Sequence, residues 1–269
     1  MAKQIEGKLN RLERLIPEGL VVDSAWLGKH GYSSSLRSQY VSRGWLEQPA
    51  RKVYRKKRGP LKWEQVVISL QTLLGCPLTV GGRTALELQG FAHYLSQGTR
   101  EVHLYGPTRA PRWLNKLGLD VKFQWHNSET LFPLGSAGKT PAGGRDSRAG
   151  LVTQQWGQWE WSITLSSPER AILELLDELP EHETFHQVDK LFEGLPNLSP
   201  TRLEKLLIGC RSVKVKRLFF FFADRHQHAW LKRIRKEAIA LGKGKRMLVR
   251  GGELNAAYQI TVPGDLDGV

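Results

Sequence analysis

DSAWLGKHGYSSSLRSQYVSRGWLEQPARKVYRKKR, residues 23–58, decides how this chain is to be read. Asp23 is placed to cap a short helix carrying Trp26 and Leu27. Gly31 then makes a turn, and Ser33 caps a further helix to about Arg43, with Leu36, Tyr40 and Val41 on its inner face. Gly44 ends that helix. Upstream, Leu9, Leu12, Leu15 and Ile16 recur at helical spacing until Pro17 and Gly19 stop the run. Downstream, Trp45-Leu46-Glu47 and Lys52-Val53-Tyr54 read as two short strands joined across Gln48-Pro49-Ala50. Three helices followed by a basic hairpin is the order of a winged helix-turn-helix.

The outer face of the last helix carries Ser34, Ser35, Arg37, Ser38, Gln39 and Arg43, side chains able to reach base edges or phosphates from the major groove. Arg37 is a candidate for a bidentate contact to guanine. The hairpin adds Arg51, Lys52, Arg55, Lys56, Lys57 and Arg58, cations suited to flanking phosphates, where each contact releases condensed counterions. Six such contacts predict a log–log salt slope near about −5. The bland alternative is a basic linker behind a small helical cap.

The charge distribution sharpens this. The 269 residues carry a net +14. Residues 1–60 hold 13 Lys and Arg against 5 Asp and Glu, residues 61–199 hold 12 against 15, and residues 200–250 hold 15 against 3. Two basic ends flank a mildly acidic middle, which suits polyanion contact through two separate surfaces. Cys76 and Cys210 stand alone and fit small buried thiols of a reducing compartment. With no apolar leader and no run of membrane-spanning length, a cytoplasmic protein without membrane contact is expected.

From about Leu61 helix and strand signals alternate, giving an α+β chain: a winged helix-turn-helix over 1–58, then a larger mixed domain over 61–269. Helices are expected at 63–74, 84–89, 111–118, 168–179, 184–193, 200–209 and 213–225. Strands are expected at 78–80, 102–105, 121–125, 159–165, 246–249 and 258–262. Residues 134–150, rich in Gly, Ala, Ser and Pro, read as a mobile loop. Phe219 to Phe222 read as the lining of a buried helix.

Motif matches outside the reader are weak. Gly135-Ser136-Ala137-Gly138-Lys139-Thr140 resembles the end of a phosphate-binding loop, but Pro141-Ala142-Gly143-Gly144 blocks the helix that must follow. His182-Glu183-Thr184-Phe185-His186 is a formal HExxH, which would bind zinc if both histidines shared a helix face; Pro180 just before argues against that. Glu204 is a loose third ligand, and solvated histidines are the better reading. No cofactor, metal or catalytic set is assigned. Lys214, Lys216, Arg217, Arg225, Lys232, Arg233, Arg235 and Lys236 lie on two successive segments read as helical, and present either a solvated basic face or a surface for an anionic partner.

Three further stretches carry a resemblance: Leu78-Thr79-Val80-Gly81-Gly82-Arg83-Thr84-Ala85-Leu86, then Ser167-Pro168-Glu169-Arg170-Ala171-Ile172-Leu173-Glu174, then Lys214-Val215-Lys216-Arg217-Leu218-Phe219. In this order behind a winged helix, they resemble the AbiEi family of antitoxins over nearly the whole chain, with 135–150 as a local insertion. The resemblance implies a bacterial toxin–antitoxin operon whose upstream inverted repeats are the operator DNA bound by the winged helix. It also implies that the C-terminal domain counters a nucleotidyltransferase toxin, without a stable complex being required. It transfers no residues for that second role, for which the 200–250 basic face is a candidate from charge alone. Two other readings stay open: a ligand-responsive repressor with a sensory pocket in 61–199 and no toxin partner, and a zinc enzyme using His182, Glu183 and His186.

Overall fold

A computed structural model describes residues 7–91, 100–133, 150–157 and 161–266. The loop expected at 134–150, the phosphate-loop match and Trp159 fall almost wholly outside these residues. The N-terminal part runs α1 (Lys8–Leu15), β1 (Val21–Asp23), α2 (Ser24–Lys29), α3 (Ser34–Ser42), β2 (Glu47–Ala50) and β3 (Val53–Arg55). The caps fall where the sequence places them: Asp23 accepts from the Trp26 amide (2.7 Å) and Ser33 from the Leu36 amide (3.3 Å). The strands form an antiparallel sheet in the order β1-β3-β2.

Two details differ from the sequence reading. β1 is a three-residue strand that alternation could not reveal, and it gives the hairpin a third member. The turn lies at Arg51–Lys52 rather than 48–50, because Pro49 sits inside β2. Proline lacks a donor but is tolerated on an edge strand, and β2 is that edge.

The reader does not stand apart from the rest. Leu20, Val21, Ala50 and Val53 share one core with Val66, Val67 and Leu70 of α4 (Trp63–Thr72). The Val21 amide donates to the Ser69 hydroxyl (2.9 Å). Leu12, Ile16, Leu27, Tyr32 and Tyr40 make a second, smaller core inside the helices.

The larger part continues with β4 (Thr79–Val80), α5 (Gly82–Leu88), β5 (Glu101–Gly106), β6 (Lys122–Asn127), β7 (Leu151–Trp156), β8 (Trp161–Ser166) and α6 (Pro168–Asp177). Then come α7 (Phe185–Glu193), α8 (Pro200–Gly209), α9 (Val213–His226), β9 (Glu253–Asn255) and β10 (Ile260–Val262). A mixed sheet has the order β6-β5-β4-β8-β7, with β5 parallel to β6 and β4 parallel to β8. The expected helix at 111–118 is only a 3-10 turn, Leu114–Lys116. β7 was not foreseen, and Arg246 makes a single bridge to Ile260, so the terminal hairpin is β9 with β10. Phe219 to Phe222 are buried in α9, with Phe192 of α7 stacked on Phe222 at 5.1 Å.

Ion pairs organise the interior. Glu174 of α6 is fully buried; its Oε1 accepts from Arg170 Nε (2.8 Å) and its Oε2 from the Gly82 amide (3.0 Å). A Cβ on Gly81 would lie 2.2 Å from Glu174 Oε2 and 2.4 Å from Tyr105 Cδ2. Beside them His103 Nδ1 lies 3.0 Å from His126 Nε2, and His126 Nδ1 is 2.8 Å from Glu178 Oε1. Gly81→Ala should therefore lower stability by about 2–4 kcal/mol through overpacking. Gly28→Ala, on an open stretch of α2 with nothing within 4 Å, should be neutral or stabilising by up to about 1 kcal/mol. Urea midpoints of the two variants check this.

Burial first, then the neighbouring His126, drives the His103 imidazole down to about 4, although Glu178 and Glu101 pull the other way. An unfolded imidazole titrates near about 6.5, so below that pH the unfolded chain takes up the proton first and stability falls. Burial pushes the Glu178 carboxyl up, but its bond to His126 outweighs that and holds it below the ordinary range. Its contribution is present above the ordinary carboxylate range and is lost as pH falls through its folded value. Stability measured by urea should thus drop between pH 6.5 and 4 by up to about 3 kcal/mol from His103, and His103→Gln should flatten the drop.

Candidate nucleic-acid interface

α3 is fixed by Ser33 at its start, by Gly44 at φ +75° just past its end, and by Tyr40, which is buried against Tyr32 and Trp45. With that face turned in, Ser34, Ser35, Ser38, Gln39 and Arg43 are exposed on the other. Their hydroxyl, amide and guanidinium groups are the donors and acceptors that base edges and phosphates require. The Arg43 guanidinium lies 5.3 Å over the ring of Trp45, which is 41% exposed between α3 and β2. The sequence placed Trp45 in a strand. Its exposure beside the α3 face makes it a further contact candidate, because aromatic rings offer apolar surface to sugars and bases.

At the wing tip Arg51 and Lys52 are exposed. Lys52 adopts φ +66°, and its carbonyl accepts from the Ser24 amide (2.8 Å), which pins the tip beside the start of α2. Lys57 is largely exposed, with only a loose pair to Glu47 at 3.7 Å.

Four of the expected DNA-contacting cations are engaged within the chain. Arg37 Nη1 donates to the Ser24 carbonyl (2.5 Å), and its guanidinium lies 5.8 Å from the Tyr54 ring centroid. It therefore braces α3 against α2 and the wing rather than projecting toward a guanine. Arg55 is buried, donating to Glu47 (2.8 Å) and the Gly59 carbonyl (2.7 Å). Lys56 donates to the Glu13 carbonyl (2.9 Å) and Arg58 to Glu18 (2.7 Å), tying the wing stem to α1 and the turn after it.

Residues 5–97 match the family model for the AbiEi antitoxin N-terminal domain, described as a transcriptional regulator. Residues 99–263 match the model described as "Transcriptional regulator, AbiEi antitoxin, Type IV TA system". This chain belongs to the AbiEi antitoxin family. The solved structures that share the fold include the RV2827C protein from Mycobacterium tuberculosis, with a TM-score of 0.56 at 16% identity, covering 94% of this chain and 88% of that one. A search among curated proteins returned no significant match.

In this AbiEi chain the three stretches that carried the resemblance meet around α6. Glu174 holds the Gly82 amide, and Lys214 Nζ donates to the Asp177 (2.5 Å) and Leu179 (2.9 Å) carbonyls at the helix end. Burial raises the Glu169 carboxyl, yet bonds from the Ser199 amide, Arg202 and Ser167 more than offset this and keep it below the usual range.

Part of the expected 200–250 basic face is taken up by contacts within the chain. Lys214 is spent on α6, and Lys216 and Arg217 are buried, Arg217 donating to the Leu241 (2.7 Å) and Gly244 (2.6 Å) carbonyls. Arg225 pairs with Asp189 at 3.1 Å and Arg235 with Glu204 at 2.5 Å, while Lys236 donates to the Tyr258 hydroxyl. Lys232, Arg233, Arg235 and Lys236 remain exposed, the first two on a 3-10 turn, Leu231–Arg233, not on a second long helix.

The HExxH match fails on geometry as well. Thr184 caps α7, so His182 precedes the helix while His186 lies within it. Glu183 is buried in an ion pair with Arg83, and His186 faces Asp265 at 3.7 Å. Among the described residues no group of three His, Cys, Asp or Glu could hold a metal ion, and no helix is long and apolar enough to cross a membrane.

Wing-tip and wing-base cations should separate cleanly. Arg51→Ala with Lys52→Asn, Asn tolerating the left-handed backbone, should leave stability within about 0.5 kcal/mol. Arg55→Ala should lower it by about 2 kcal/mol, since it removes a buried side chain with its bonds to Glu47 and the Gly59 carbonyl. Thermal melts of the two variants decide this.

Proposed function

We propose that this chain represses its own toxin–antitoxin operon by steric occlusion, and that it counters the toxin through residues 61–269 without enzymatic activity of its own. One protomer on each half of an inverted repeat would lay α3 in the major groove, with Arg51, Lys52 and Lys57 on adjacent phosphates. The observation that carries this reading is the exposure of the polar α3 face, of Trp45 beside it and of the wing-tip cations Arg51 and Lys52, in a family described as transcriptional regulators. The nucleotidyltransferase identity of the toxin rests on the family resemblance.

The test uses the full-length protein on its own upstream DNA and on a scrambled duplex, across a salt series. A truncation would expose the Leu20 and Val21 partners on α4, so point variants are the cleaner tool. Three wing phosphates predict a log–log slope near about −3 per protomer, reduced by about 2 in the Arg51→Ala/Lys52→Asn variant on either duplex. Gln39→Ala should cost about 1–3 kcal/mol on the operator alone, if it reads one base. Equal, weak binding to both duplexes that neither variant changes would overturn the repressor reading. Co-expression with the adjacent toxin gene separates the second role: the wing-tip variant should lose repression and still restore growth.

A further inference from the structure

On the face of β5 and β6 opposite to His103, Tyr105 and His126, Leu104 pairs with Trp125 and Val102 with Phe123. The segment leaving β5 folds back over that face and encloses a cleft of about 300 Å³, at the lower end of the range for small-molecule sites. Its wall is held in place: Asn115 donates to the Phe123 carbonyl (2.9 Å) and accepts from the Phe123 amide (2.7 Å), while Leu114 and Phe123 are buried.

The polar chemistry here is one-sided. Arg109 and Arg112 both line the cleft, both are exposed, and neither has an ion-pair partner among the described residues. No carboxylate lines it. Trp125 also lines it, and the indole Nε1 is shut off from solvent with no acceptor. The Arg109 guanidinium sits 5.8 Å from the Trp125 ring centroid. Two guanidiniums suit the oxygens of a dianionic phosphate. The apolar floor of Leu104, Leu114 and Phe123 accommodates a carbon skeleton.

We propose that this cleft binds a small phosphate ester, of the size of a sugar phosphate or mononucleotide. Inorganic phosphate alone would satisfy the arginines and leave the floor empty. A nucleic-acid backbone would use the arginines and leave the apolar floor empty.

The test is calorimetric titration of the full-length protein with AMP, ribose 5-phosphate, inorganic phosphate and adenosine. Either ester should bind at least tenfold more tightly than phosphate or adenosine, and the stronger of the two identifies the sugar-phosphate or nucleotide source. Arg109→Ala/Arg112→Ala should weaken binding at least tenfold with an unchanged melting temperature. The indole resonance missing from the Trp125→Phe spectrum should be the one that moves during titration of the native protein. The proposal falls if no ester binds at millimolar concentration, or if binding survives the double variant. It falls equally if a random duplex displaces the ester and binds through the same arginines, which would make this a nucleic-acid surface. None of these outcomes bears on operator binding by α3, which is measured on variants of other residues.

Discussion

The Glu174 carboxylate is the constraint around which the larger half of the molecule is arranged. A fully buried carboxylate is costly unless each oxygen is matched, and here one oxygen takes Arg170 from the preceding turn while the other takes the Gly82 amide. That second bond brings the start of α5, and with it β4, against α6 across 92 positions of sequence. Gly81 and Gly82 are glycine because Glu174 and Tyr105 occupy the space a side chain would fill. Arg170 lies 4.6 Å over the Phe132 ring, extending the same joint toward the segment after β6. The stretches at 78–86 and 167–174 make sense in these terms: they are the two halves of one buried contact.

The same logic explains why charge density over 200–250 overstates the cations left free of partners. Net charge over 200–250 counts cations without saying what they face. Lys214 and Arg217 donate to main-chain carbonyls, and Arg225 and Arg235 pair with acids from other helices. A run that alternates cations with Val215 and Leu218 on a single helix reads as amphipathic, yet α9 is surrounded by protein and Lys216 and Arg217 are enclosed. Fixed carbonyls left open at helix ends and loops are natural partners for such cations. Sequence shows the donors. The acceptors are backbone atoms and are invisible until the fold is known.

The winged helix was legible for the opposite reason, because each of its signals is local. Asp23 and Ser33 cap helices that begin one residue later, and Gly31 and Gly44 take the left-handed turns that follow α2 and α3. What escaped is non-local: β1 is a strand only because β3 lies beside it, and Pro49 is harmless only because β2 is an edge. The interface follows the same division. The exposed set Ser34, Ser35, Ser38, Gln39 and Arg43 came from helical periodicity, whereas Arg37, on the same helix, turns toward Ser24 and Tyr54.

The joint at α4 sets how the reader can act. Val21 belongs to the reader's sheet and bonds Ser69, while Leu20 and Val53 complete a core that runs on into the mixed sheet. A recognition helix on a loose tether would sample half-sites of many spacings. One seated on shared apolar core takes its orientation from the larger half, so the spacing of two half-sites becomes a property of how two whole chains sit together. If α3 reads DNA, the larger half therefore helps set which half-site spacings two chains can match.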